Sequence, residues 1–98
     1  MNYIDEIAIR IATELEDNEP ENYMLLYRLY ALLALTQGIN TSNNDIHDAW
    51  SVWQLSIDPK HRSLIPFNAL SHEVRMLDTL YRDAVRDIAE DIGREYCN

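Results

Sequence analysis

Glycine and proline are scarce in this chain, with two glycines and three prolines in 98 residues. Tight hairpin turns draw on both, so their scarcity argues for helices joined by a few polar connectors. The single cysteine, Cys97, excludes an intramolecular disulfide; beside the C-terminus it reads as a frayed bystander rather than a nucleophile. No apolar run reaches the about 20 residues that cross a bilayer. The opening MNYIDEIAIR lacks the basic-then-apolar order of a secretory signal, so a cytoplasmic location is expected. Basic side chains number 8 against 17 acidic ones, which gives a net charge of −9. Such a surface repels phosphate backbones and anionic lipid, so neither nucleic acid nor a membrane is an expected partner.

Catalytic signatures are missing as well. His47, His61 and His72 are 14 and 11 residues apart, which matches no metal-ligand spacing. There is no Gly-x-Ser-x-Gly elbow and no glycine-rich phosphate loop, and the carboxylates are scattered over predicted exposed faces. A helix-turn-helix would need basic residues at the start of its recognition helix, where this chain has Asp45 and Asp48. A protein that is not an enzyme, with no cofactor and no metal, is the expectation.

The stretch Tyr23–Leu35 reads YMLLYRLYALLAL, with Arg28 as its one charge. A helix apolar on nearly every side belongs in the middle of a core. The length fits one domain, large enough to bury a core without disulfides or metals. The predicted fold is therefore all-α: a compact four-helix domain over residues 1–98, with a central hydrophobic second helix.

The first helix is predicted over 3–17, where Ile4, Ile7, Ala8, Ile11, Ala12 and Leu15 form one apolar face. Asp17-Asn18-Glu19-Pro20 breaks it, and Pro20 suits the start of the next helix, about 21–37. Along that helix Tyr23, Tyr27 and Tyr30 form a row. Their rings suit core packing with wet hydroxyls, or Tyr27 or Tyr30 stacks on a ligand. Gly38 is a fitting stop. The polar connector Asn40–Asn44 offers several N-caps to a third helix over about 43–57. Its apolar positions Ile46, Ala49, Trp50, Trp53 and Ile57 put both tryptophans on one face, as a hydrophobic seam or as an aromatic wall for a ligand or partner.

Residues 59–71, PKHRSLIPFNALS, have no helical or strand period. Leu64, Ile65, Phe67 and Leu70 predict a loop packed down between helices 3 and 4, and a short helical turn at Pro66–Leu70 is the alternative. Ser71 is placed to cap a last helix over about 72–92, with the stripe Val74, Leu77, Tyr81, Val85, Ile88 and Ile92. Arg75, Arg82 and Arg86 share a neighbouring face, at pairing distance from acids such as Asp78 and Glu90.

His47 and Trp50 in IHDAW, then DPKHRSLIPFNAL, then Leu77-Asp78 and Tyr81 in LDTLYRDAV resemble the small domain repeated in ryanodine receptors (RyR), over residues 45–85. The family pattern is His-x-x-Trp, a His-Pro-x-Leu-Val-Pro-Tyr-like loop ending in Leu, and a helix with an Asp and an aromatic residue. Here Arg62 and Ser63 follow His61 in place of the proline, Phe67 stands for the tyrosine, and the Gly-Trp-x-Tyr-Gly turn is absent. With its LYRLYALLAL helix, the whole chain looks like an uncharacterised family of small actinobacteriophage proteins. The resemblance implies a non-enzymatic phage-type accessory protein that binds a nucleotide-like signalling ligand to counter host immunity. His47, Trp50, His61 and Tyr81 are the site residues it implies; Arg62 and Arg82 are added because guanidinium matches phosphate. The alternative is a phage protein that binds a host protein and no small molecule. A homodimer is compatible with either, since short helices leave apolar surface uncovered.

Overall fold

A computed structural model describes residues 1–96; the reading of Cys97 lies outside the described residues. Helix α1 spans Tyr3–Glu14. The Asn2 side chain accepts the Asp5 amide at 2.8 Å and so caps its first turn. The helix stops before the expected Asp17 because Glu16 turns left-handed, at φ 60°. That turn brings the Asp17 amide back onto the Ala12 carbonyl at 2.9 Å, which closes the helix end. Ile7, Ala8, Ile11 and Ala12 are buried on the predicted face.

A 3-10 turn at Pro20–Tyr23 leads into α2, Met24–Thr36. Helix α2 packs on α1 and on the two long helices that follow, and it buries Leu26, Tyr27, Tyr30, Ala31 and Ala34. It is central but not wrapped: Leu25, Leu32 and Leu35 remain exposed, because three neighbouring helices cannot cover every side of a fourth. Arg28 leaves the apolar seam to donate from Nε to Asp5 Oδ1 at 2.7 Å, tying α2 to α1. That hydrogen bond holds the Asp5 carboxyl below its usual range. Gly38, at φ 60°, opens a 3-10 turn over Gly38–Asn40 after the end of α2.

Helix α3 spans Asn43–Leu55 and starts with a reciprocal capping box. The Ser42 hydroxyl accepts the Asp45 amide at 3.1 Å, and the Asp45 carboxylate accepts the Ser42 amide at 2.9 Å. Ile57 lies past the end of this helix and is exposed.

The predicted last helix is two helices, α4 (His72–Met76, capped by Ser71) and α5 (Thr79–Tyr96). Asn43 explains the step between them. Its side-chain amide donates to the Arg75 carbonyl and to the Thr79 hydroxyl, each at 3.1 Å. In an unbroken helix that carbonyl would serve the Thr79 amide. Leu77, expected on the core stripe, is 69% exposed at the step, while Ala84, Val85, Ile88, Ala89 and Ile92 line the core.

Loop 56–71 contains the short turn Phe67–Ala69. Of the four large apolar residues expected to pack it down, only Leu70 is buried; Leu64 and Phe67 are half-buried and Ile65 is exposed. Polar clamps hold the rest. His47 bonds the Ile65 carbonyl at 2.7 Å. Arg75 donates to the carbonyls of Phe67 and Asn68, and its guanidinium lies 5.4 Å from the Phe67 ring centroid. The expected pairing of arginines with acids within the last helix is thus replaced by clamping. Arg86 donates to the Thr41 carbonyl at 2.7 Å; of Arg75, Arg82 and Arg86 it is Arg82 that pairs locally, with Asp83. No helix among the described residues is long and apolar enough to cross a membrane, and the described residues contain no strand.

Candidate functional site: an aromatic cleft with carboxylate walls

Residues from distant parts of the sequence meet around a cleft of about 570 Å³. The α1–α2 connection and α2 contribute Asp17, Tyr23, Leu26, Tyr27 and Tyr30. Helix α3 contributes His47, Trp50 and Trp53, and the loop after it His61 and Ser63. Val74 of α4, the step residues Leu77 and Asp78, and Leu80 and Tyr81 of α5 close the ring.

The spacing of α3 places His47 and Trp50 one turn apart, and their rings stack at 5.6 Å with 22° between planes. His61 meets the Trp50 ring edge-on at 5.2 Å. Across the cleft Tyr30 and Tyr81 lie 5.9 Å apart, Tyr27 and Tyr30 6.3 Å, and Tyr23 and Trp53 5.9 Å. These separations are those of favourable aromatic pairs. Tyr27 and Tyr30 are buried, while Trp50 and Trp53 are half-buried at the boundary between core and cleft.

The polar groups fall into those already engaged and those without a partner. His47 Nε2 faces a carbonyl, which only accepts, so this nitrogen carries the proton. Its first role is to latch the loop. His61 Nδ1 accepts the Ser63 amide at 3.0 Å, so its Nε2–H is the free donor of a ring on the cleft wall. The Tyr27 hydroxyl donates to Asp17 at 2.7 Å; burial, with that neighbouring carboxylate, pushes the hydroxyl well above its ordinary range. Burial does the same to Tyr30. Asp78 differs. Its carboxyl makes no hydrogen bond or ion pair among the described residues, and burial pushes its pKa up to about 6 while His47 pulls the other way.

Of the six residues singled out from sequence, His47, Trp50, His61 and Tyr81 line the cleft. Arg62 and Arg82 do not; Arg62 is exposed and Arg82 is half-buried against Asp83. Two acidic members, Asp17 and Asp78, were not among the six. Asp78 carried a signal, since it is the Asp of the motif Leu77-Asp78 and Tyr81 on which the resemblance rests. Asp17 had none, since its role depends on the turn at Glu16. Among the described residues no group of three His, Cys, Asp or Glu side chains comes together to hold a metal ion.

An all-helical domain with an aromatic, carboxylate-walled cleft is the class that this fold and site define. Residues 2–90 match the model of a domain of unknown function, DUF7701, and the chain belongs to that family. No curated protein and no solved structure matches it.

Proposed function

We propose that this chain is a non-enzymatic binding module that holds one small ligand in the aromatic cleft. One observation carries the reading: four residues picked out by motif, from α3, the loop and α5, share the wall of a single concavity with further aromatic rings. In its finer form the proposal is a phage-type accessory protein with a RyR-like segment, acting in the host cytoplasm to tie up a nucleotide-like signal. The resemblances of residues 45–85 and of the LYRLYALLAL helix support that form. So does the supply of rings, because each stacked base is worth about 1–3 kcal/mol whatever its identity. Arg62 and Arg82 lie off the wall, so the base rather than the phosphate is the part the cleft suits.

The alternative is a host-protein-binding role without a small ligand. Leu77 and Leu80 favour it, 69% and 66% exposed on the rim, where a partner's apolar side chain would cover them. A second copy of the chain could cover the same rim and form a homodimer.

Native mass spectrometry of the purified protein, alone and with a panel of cyclic and ADP-ribose-derived nucleotides, tests these readings. A one-to-one adduct at low micromolar concentration, lost in Trp50→Ala, is the result expected. Free protein across the panel would remove the nucleotide form and direct the search to host-protein capture.

A further inference from the structure

The charge of the cleft wall fixes what kind of molecule can enter, an inference that rests on the small-ligand reading above. We propose that the cleft selects a small organic cation, whose positive charge meets Asp78 and whose body lies against the rings of Trp50, Tyr30 and Tyr81.

Three observations converge. First, among the described residues the cleft wall carries two carboxylates and neither lysine nor arginine. The arginines nearest in sequence are committed elsewhere, Arg75 to loop carbonyls, Arg82 to Asp83 and Arg86 to the Thr41 carbonyl. Second, the two carboxylates are not equivalent. Asp17 is occupied by the Tyr27 hydroxyl, whereas Asp78 has no partner, although it is half-buried among apolar and aromatic side chains. A partly desolvated carboxylate that makes no ion pair, with only the nearby His47 ring acting on it, carries a cost that a leucine at that place would not. Its presence is accounted for by a positive group that arrives with the ligand. Third, six tyrosine and tryptophan rings line the space. Ring faces are negative and attract cations, most strongly when water is displaced.

An anionic ligand meets the reverse. A phosphate in the cleft would lie beside two carboxylates, on a chain of net charge −9. A nucleotide-like ligand satisfies the wall only through a base that carries positive charge, such as an N-alkylated purine. Alkylammonium compounds and alkylated bases share this chemistry, and they are separable by experiment.

Trp50 and Trp53 are the chain's two tryptophans and both line the cleft, so intrinsic fluorescence reports binding directly. The full chain is titrated with choline and with 3,3-dimethylbutan-1-ol, its neutral isostere, then with 1-methyladenosine, with adenosine and with adenosine monophosphate. Each cation is expected to bind at least about tenfold more tightly than its neutral counterpart. The preference should vanish in Asp78→Asn and persist in Asp83→Asn, which alters an exposed carboxylate outside the wall. If only one cation shows the preference, that one identifies the ligand type. Equal binding of cation and isostere in both pairs would overturn the proposal and leave an apolar small-ligand cleft. Adenosine monophosphate binding more tightly than both cations would overturn it in favour of the anionic nucleotide reading. An unchanged emission with every probe would overturn the cation proposal and count equally against the small-ligand reading.

Discussion

The seam where α1, α2 and α5 meet and the cleft beside it are built from opposite materials. Along the seam Ile7, Ala8, Ile11, Ala12, Ala31 and Val85 are essentially without solvent contact. They are small or branched aliphatic groups that let helices approach closely and carry no polar atom. At the cleft the side chains are the largest in the chain, Trp50 and Trp53 are only half-buried, and Asp78 and the His61 Nε2–H lack hydrogen-bond partners. The seam is arranged for stability alone. The cleft keeps large rings and unpaired polar groups, which a fold optimised only for stability would replace.

This contrast can be broken by substitution. Ile11→Ala, in the fully buried seam, should cost about 3–4 kcal/mol. A thermal melt followed by circular dichroism should fall by roughly 15 °C or more. Trp50→Ala should cost less despite its larger volume, about 2–3 kcal/mol, because part of the ring already touches solvent. A larger loss for Trp50 than for Ile11 would show that the cleft is core after all. Asn43→Ala removes the two bonds at the α4–α5 step and should cost about 1–2 kcal/mol. Hydrogen exchange should then quicken around residues 74–80 and stay slow along α1.

Asp78→Asn carries the opposite sign. The carboxyl's pKa is raised in the folded state, to about 6, so its stabilising balance is complete below the unfolded value and is lost as pH rises through about 6. The asparagine variant should therefore melt higher than the parent at pH 7.5, by about 1 kcal/mol after discounting for exposure. The gain should disappear below about pH 4. A gain that survives at pH 4 would show that charge is not its cause. The smallest effect belongs to Asp5→Asn. The Arg28 pair is solvent-exposed, and its carboxyl is lowered rather than raised, so its contribution is present at neutral pH and fades as pH falls below the ordinary carboxylate range. A neutral-pH melt close to the parent's is the expected outcome.

The seam was legible in the sequence because it is made of local repeats. The α1 face, the apolar run of α2, the stop at Gly38 and the Ser71 cap each depend on residues a few positions apart. Half of the cleft was legible for the same reason, since the spacing of His47, Trp50 and Trp53 puts them on one side of a helix. The rest depends on residues far apart in sequence. The break at Leu77–Asp78 is set by Asn43 on another helix, and no period within 72–92 announces it. Spacings of seven and four made Arg75, Arg82 and Arg86 look like a set of internal pairs with the acids of their own helix. The carbonyls of the loop and of Thr41 drew Arg75 and Arg86 away.

The step held by Asn43 also separates two tasks that one continuous helix would have joined. Beyond its first turn, helix α5 fixes the core through Val85, Ile88 and Ile92, while Val74, Leu77 and Asp78 shape the cleft from α4 and the joint, together with Leu80 and Tyr81 at the very start of α5. A rigid rod would transmit every substitution on the rim to the packing below it. With the rod divided, the rim can drift in sequence and acquire a new preference while the scaffold beneath keeps its register. The joint thus makes the binding cleft evolvable.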